Sequence, residues 1–239
     1  MTEAPSTQVV RHTLADRLLH WSNAVLWAAL LITGIGMLEH PVLAPLGMDL
    51  PRWLRELFGG SGGLLTVHIW LGVCWLVALG LYLVLRWRGA AFFLRQIVTY
   101  QASDLTWLGR RSAQMLLGRQ LASRLGVDGP LPEQGYYNPG QRGLALFMVC
   151  MGTLAACSGL VMAFAPQLGL MHGETVATAL LVHHFSVWLA AAGLPIHIYM
   201  AALVREERPA LRSMICGTVP AAYARAHHPH WDWQAGEGQ

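Results

Sequence analysis

The stretch LLVHHFSVWLAAAGLPIHIYM, residues 180–200, decides the fold. It is apolar and of membrane-span length, yet it carries His183, His184 and His197. A histidine in hydrocarbon is costly, so an ionisable side chain at membrane depth points to function first. In a soluble core the same histidines would need no special role. Whether this segment crosses a bilayer therefore settles both architecture and what its histidines are for.

Composition favours the bilayer. Hydrophobic residues make up 54% of the 239 and charged residues 12%, well below the roughly one quarter charged that is usual in soluble domains. Four uncharged runs stand out, 20–38, 62–85, 143–165 and 176–204. Each reaches the roughly 18–20 residues a helix needs to span a hydrocarbon core. A soluble protein would have too little polar surface to cover four such helices. The expected fold is an all-α membrane protein, one integral-membrane domain over residues 1–239 built on a four-helix transmembrane bundle. The N-terminal MTEAPSTQVVRHTLADR lacks the basic-then-apolar plan of a removable signal, so the first span is expected to act as its own insertion signal.

Every cationic residue is an arginine, and the placement is lopsided. The loop between the first two spans holds only Arg52 and Arg55, beside Glu39, Asp49 and Glu56, and the loop 166–175 has none. The others precede the first span, fill the loop 86–142, or lie in the tail 205–239. Cytoplasmic loops are enriched in such residues, which predicts that both termini and the 86–142 loop are cytoplasmic. The net charge of +3 then reflects topology, and no aromatic-interleaved basic patch argues for nucleic acid. Within the loop, apolar and basic residues alternate at helical spacing, as in one or two helices lying on the inner membrane face. Cys74, Cys150 and Cys157 fall in spans and Cys216 in the tail, without CxxC spacing. Their expected role is packing.

Of eleven histidines, five lie within or at the edge of spans: His20, His68, His183, His184 and His197. The predicted orientation places His20 and His197 near the inner side, and His68 with His183 or His184 near the outer. Two levels with a facing pair at each is what two bis-histidine haems across a bundle require. Helical periodicity separates the neighbours. His183 and His197 differ in azimuth by about 40°, whereas His184 and His197 differ by about 140°. The first two are also about 21 Å apart along a helix. Gly72 and Gly193, four residues from His68 and His197, would make room for a flat macrocycle, and helix packing explains span glycines as well. Pro195 removes one backbone hydrogen bond and is expected to kink the fourth span before His197. A proton or ion transporter would show carboxylates within its spans. None of the four runs contains an acidic residue or an arginine.

The chain resembles the membrane cytochrome b subunit of respiratory formate dehydrogenases, within the group shared with cytochromes b of nickel–iron hydrogenases. The carrying motifs are DRLLHW at 16–21, VHIWLG at 67–72, YNPGQ at 137–141, LLVH at 180–183, IHIYMA at 196–201 and AHHPHW at 226–231. The resemblance implies two haem b groups in an inner membrane of the respiratory chain. Axial ligands to iron would be His68 and His183 at the outer haem, His20 and His197 at the inner. It further implies an iron–sulfur subunit and a molybdenum- or tungsten-containing catalytic subunit as partners. Quinone would be reduced beside Asn138, Gly140, Gln141 and His197, with Pro139, His184 and Pro195 as departures from the family pattern. Physically, Asn138–Pro139–Gly140 is first a turn leading into a helix, and the HHPH run reads as a docking or surface segment. The alternatives are a hydrogenase cytochrome b and, in another class, a haem-free anchor or transporter.

Overall fold

The protein is described by a computed structural model over residues 7–233, except 45, 128, 168, 171 and 172; His172, placed outside the spans by sequence, lies outside the described residues. The helices are α1 (Leu14–Gly36), α2 (Asp49–Leu57), α3 (Ser61–Leu85), α4 (Trp87–Val98) and α5 (Ala102–Arg124), followed by α6 (Pro139–Phe164), α7 (Gly173–Ile198), α8 (Arg208–Cys216) and α9 (Ala221–His227). Strands β1 (Gln8–Val10) and β2 (Thr218–Pro220) form one small antiparallel ribbon with Val9 opposite Val219. That ribbon is an addition to the expected all-helical fold. Contacts divide the chain into two compact units.

The first unit comprises residues 14–86 and 149–196 and is the membrane bundle. Helices α1, α3, α6 and α7 are each long and apolar enough to cross a bilayer, at 23, 25, 26 and, with the turn that extends α7, 31 residues. In lipid only a helix satisfies its own backbone groups segment by segment, which is why uncharged runs of this length fold this way. Val25, Ile32, Leu81 and Phe185 point outward, as side chains facing lipid should. Polar bonds join α1 to α3, among them Tyr82 Oη donating to Asp16 Oδ1 at 2.8 Å and Trp75 Nε1 donating to Asn23 Oδ1 at 2.6 Å. The first bond explains why α1 begins at Leu14, six residues before its uncharged run. Helix α2, which hydropathy did not single out, folds against the end of α1. Arg55 Nη1 donates to the carbonyls of Gly36 and Leu38 at 2.9 and 3.1 Å, satisfying backbone oxygens that the helix end leaves open. Gly36 permits this approach, since a Cβ there would sit 3.0 Å from Leu54 Cβ of α2 and 2.7 Å from Leu64 Cδ2 of α3.

The second unit comprises residues 1–13, 87–148 and 197–239. The 86–142 loop is helical as expected, as α4 and α5, with a break in α5 at Gly118 where φ is 75°. Its small core gathers Val9, Val219, Ala221, Tyr223, Ala224 and Trp231, with Tyr136 and Trp233 packed on it. Helix α7 runs through Pro195 to Ile198, and a π-helical turn, Tyr199–Leu203, follows it. Two expectations change. The cysteines are all exposed rather than packed inside. The HHPH run is not uniformly surface: His228 is 2% exposed and belongs to the core region.

Candidate functional site

His68 on α3 and His183 on α7 face each other in the bundle, with ring centroids 6.2 Å apart and planes at 76°. Both rings are half-buried. His183 Nδ1 lies 2.9 Å from the carbonyl oxygen of Ala155, with Ser158 Oγ at 3.3 Å. A carbonyl only accepts, so the proton sits on Nδ1 and the Nε2 lone pair is left for another use. His68 Nδ1 lies 2.8 Å from Thr33 Oγ1, whose hydroxyl donates to the Ala29 carbonyl at 2.8 Å. With that hydroxyl proton committed, the ring donates and again leaves Nε2 free. Fixing the second nitrogen by a hydrogen bond is how proteins orient metal-binding histidines.

The separation also fits. Imidazole–metal bonds run about 2.0–2.1 Å, and with the width of each ring two axial imidazoles on one metal have centroids about 6 Å apart. A Cβ at Gly72 would meet nothing within 4 Å, whereas at Gly159 it would meet His183 Cε1 at 3.4 Å. The first glycine leaves room beside His68, and the second lets α6 approach the His183 ring. The donor set and the space therefore suit a haem. His183, not its neighbour His184, is the residue whose ring meets His68.

His20, on α1, packs edge-on against Trp21 at 5.4 Å between centroids. His197 stands one residue before the end of α7 and is half-buried. His20 belongs to the membrane unit and His197 to the second unit. Thr33, Ala155 and Ser158 were missed by sequence reasoning; each acts across a helix interface, where no local pattern marks it.

In the second unit the Asn138–Gln141 stretch starts α6. Asn138 Oδ1 accepts from the Gln141 backbone N–H at 2.9 Å, and Gln141 Oε1 accepts from the Asn138 backbone N–H at 3.1 Å. This reciprocal capping box, with Pro139 in the first helical position where its missing N–H is harmless, fulfils the turn-into-helix expectation. It uses both amide oxygens and leaves both NH2 groups as donors. Asn138 is 6% exposed. Gly140 lies against Trp107 of α5, where a Cβ would come within 3.4 Å of the indole. Next along, Arg142 Nη2 pairs with Asp104 Oδ1 at 2.5 Å, its Nη1 donates to the Thr99 carbonyl at 2.5 Å, and its guanidinium lies over the Tyr100 ring.

Four apolar spans that set two oriented imidazoles across one gap define a membrane cytochrome of the b type. Residues 11–217 match the prokaryotic cytochrome b561 family, and the chain belongs to it. It is therefore a haem b-binding membrane subunit. Among curated relatives, the formate dehydrogenase cytochrome b556 subunit of Haemophilus influenzae is 23% identical over 94% of this chain and 82% of its own length. The cytochrome b556(fdo) subunit of formate dehydrogenase in Escherichia coli K12 is 23% identical over 93% of this chain and 91% of its own length. The nitrate-inducible formate dehydrogenase b556(Fdn) subunit of the same strain is 24% identical over 95% and 91%. The resemblance to formate dehydrogenase cytochromes is borne out.

Proposed function

We propose that this chain is the diheme cytochrome b subunit of a formate dehydrogenase complex in a bacterial inner membrane. It would anchor the complex and pass electrons from an iron–sulfur subunit, itself served by a molybdenum- or tungsten-containing subunit, to membrane quinone. The observation that carries this reading is the His68–His183 pair, with both Nδ1 protons committed and both Nε2 atoms left as ligands. Haem b at such a pair supplies a reversible one-electron couple within the bilayer. His68 and His183 hold the outer group. The family resemblance alone assigns His20 and His197 to the inner one. Thr33 and the Ala155 carbonyl fix ring orientation and raise ligand basicity.

Quinone needs hydrogen-bond donors for its carbonyls and a route for protons from water. The capping box turns the amide NH2 groups of Asn138 and Gln141 into such donors, and Gly140 keeps the backbone uncrowded over Trp107. His197, with one nitrogen on iron, would offer its other N–H to the same site. The arginine distribution supports a cytoplasmic position for both ends of the chain and for the 86–142 loop, the side from which protons would enter.

Haem quantification with reduced-minus-oxidised spectra tests the ligand set. His68→Ala or His183→Ala should lose one haem of two, and His184→Ala should keep both. Loss of a haem in His184→Ala with two retained in His183→Ala would sink the assignment. Reduction by formate, but not by hydrogen, in the isolated complex separates this reading from a hydrogenase cytochrome.

A further inference from the structure

We propose that His228 and Arg11 are positioning residues for quinone capture, clamping from the tail and the N-terminal segment the turn that presents Asn138. This rests on the quinone reading above and adds to it two residues distant in sequence. His228 Nδ1 donates to the Gly135 carbonyl at 2.7 Å. Arg11 Nη2 donates to the Tyr136 carbonyl at 2.9 Å, and the Tyr136 hydroxyl donates back to the Arg11 carbonyl. The His230 backbone N–H adds a bond to the Gln134 carbonyl at 3.1 Å. Three consecutive carbonyls, Gln134 to Tyr136, are thus held by segments from opposite ends of the chain. Asn138 follows two residues later, a reach of about 7 Å at most. A shift of the turn is therefore passed on to the amide with little slack.

The clamp is buried and organised. His228 is 2% exposed and Arg11 6%. The Arg11 guanidinium lies over the rings of Tyr136 and Trp231 at 5.3 and 5.5 Å, and the His228 ring meets Trp231 edge-on. Stability alone does not account for this choice of residues. Arg11 Nε and Nη1 and His228 Nε2 are buried without a hydrogen-bond partner among the described residues, and each such group costs free energy that an apolar residue would not. The polar groups that do bond are spent on the turn leading into Asn138.

The clamp and its purpose are read separately. Hydrogen exchange of the purified complex reports whether residues 134–138 are held. Haem reoxidation against quinone concentration reports what that holding does. In His228→Leu, which cannot bond the Gly135 carbonyl, exchange over 134–138 should accelerate. The half-saturating quinone concentration should rise about tenfold, with haem content and maximal rate at parent values. His228→Asn, which places an N–H near the Nδ1 position, should recover most of the shift. Parent exchange and parent half-saturation in haem-replete His228→Leu would overturn the proposal, and so would a fall in maximal rate alone. If His228→Leu does not assemble, Tyr136→Phe removes the hydroxyl's bond to the Arg11 carbonyl, together with its contact to His12 Nδ1, and should shift both readouts the same way; parent values there also overturn it. Asn138→Ala is measured alongside. Parent reoxidation in that variant defeats the quinone reading and with it the purpose given to the clamp. Slowed reoxidation in Asn138→Ala beside an unaffected His228→Leu defeats the clamp alone.

Discussion

At the residue scale, the difference between a buried histidine and a ligand lies in which nitrogen keeps the proton. Periodicity could favour His183 over His184, because azimuth follows from the backbone alone. It could not reveal that the Ala155 carbonyl and Thr33 hydroxyl would commit both Nδ1 protons, since those partners come from other helices. Thr33 looks like any small residue in an apolar run. Its hydroxyl nonetheless orients His68, and such outer partners are worth about 10–100-fold in metal affinity. Thr33→Val keeps shape and helix while removing the acceptor. On the proposed ligand set, it should lower occupancy of the haem held by His68 and shift that haem's midpoint potential, leaving the other haem unchanged. Redox titration with haem quantification checks this, and two full haems at parent potentials would show that the hydroxyl does not tune the ligand.

At the element scale, the start of α6 is fastened from two directions. The capping box fixes its first turn, and Asp104 neutralises Arg142 there. A cation near a helix N-terminus opposes the macrodipole, so Arg142 is tenable only with its carboxylate. Both are at least nine-tenths buried, and removing one partner of a buried pair costs about 3–5 kcal/mol. Asp104→Asn should lower the thermal midpoint of the purified complex markedly, and Asp104→Asn with Arg142→Gln should regain much of it. An additive double variant would mean that the pair is not coupled. The tail shows where sequence fell short. HHPH carries the signature of a surface cluster, and only the fold buries His228 while leaving His230 exposed beside Glu133 at 3.3 Å. Burial, then the Arg11 charge and His227, push the His228 pKa down to about 3, with the Gly135 bond opposing. An unfolded histidine titrates near 6.5, so between these values the unfolded segment takes up the extra proton. The stability contributed by the neutral ring is complete above about pH 6.5 and shrinks as pH falls towards 3, by about 1.4 kcal/mol per unit. Hydrogen exchange over residues 221–233, corrected for intrinsic rates, should therefore loosen between pH 6 and 4, and His228→Gln should flatten that dependence.

At the scale of the whole molecule, topology joins sequence statistics to a strand pairing that the statistics did not foresee. The spans were legible because hydropathy over about 20 residues is a physical requirement of the bilayer, and their starts moved where polar residues extended a helix, as at Leu14 and Pro139. The β1–β2 ribbon was not legible, because three-residue strands carry no periodicity of their own. It nonetheless constrains the path of the chain. Val9 lies opposite Val219, and Arg11, Tyr136, Gly135 and His228 are bonded together. The N-terminal segment, the 86–142 loop and the tail must then lie on one side of the membrane, as an even number of spans requires. Which side is a matter of charge. That shared side carries every arginine except Arg52 and Arg55, and such an excess retains loops in the cytoplasm. A green fluorescent protein fused after Gln239 should therefore fluoresce, and alkaline phosphatase at the same point should be inactive. Phosphatase inserted after Gly47, between α1 and α2, should be active. An active C-terminal phosphatase would invert the topology, and with it the assignment of His68 and His183 to the outer side.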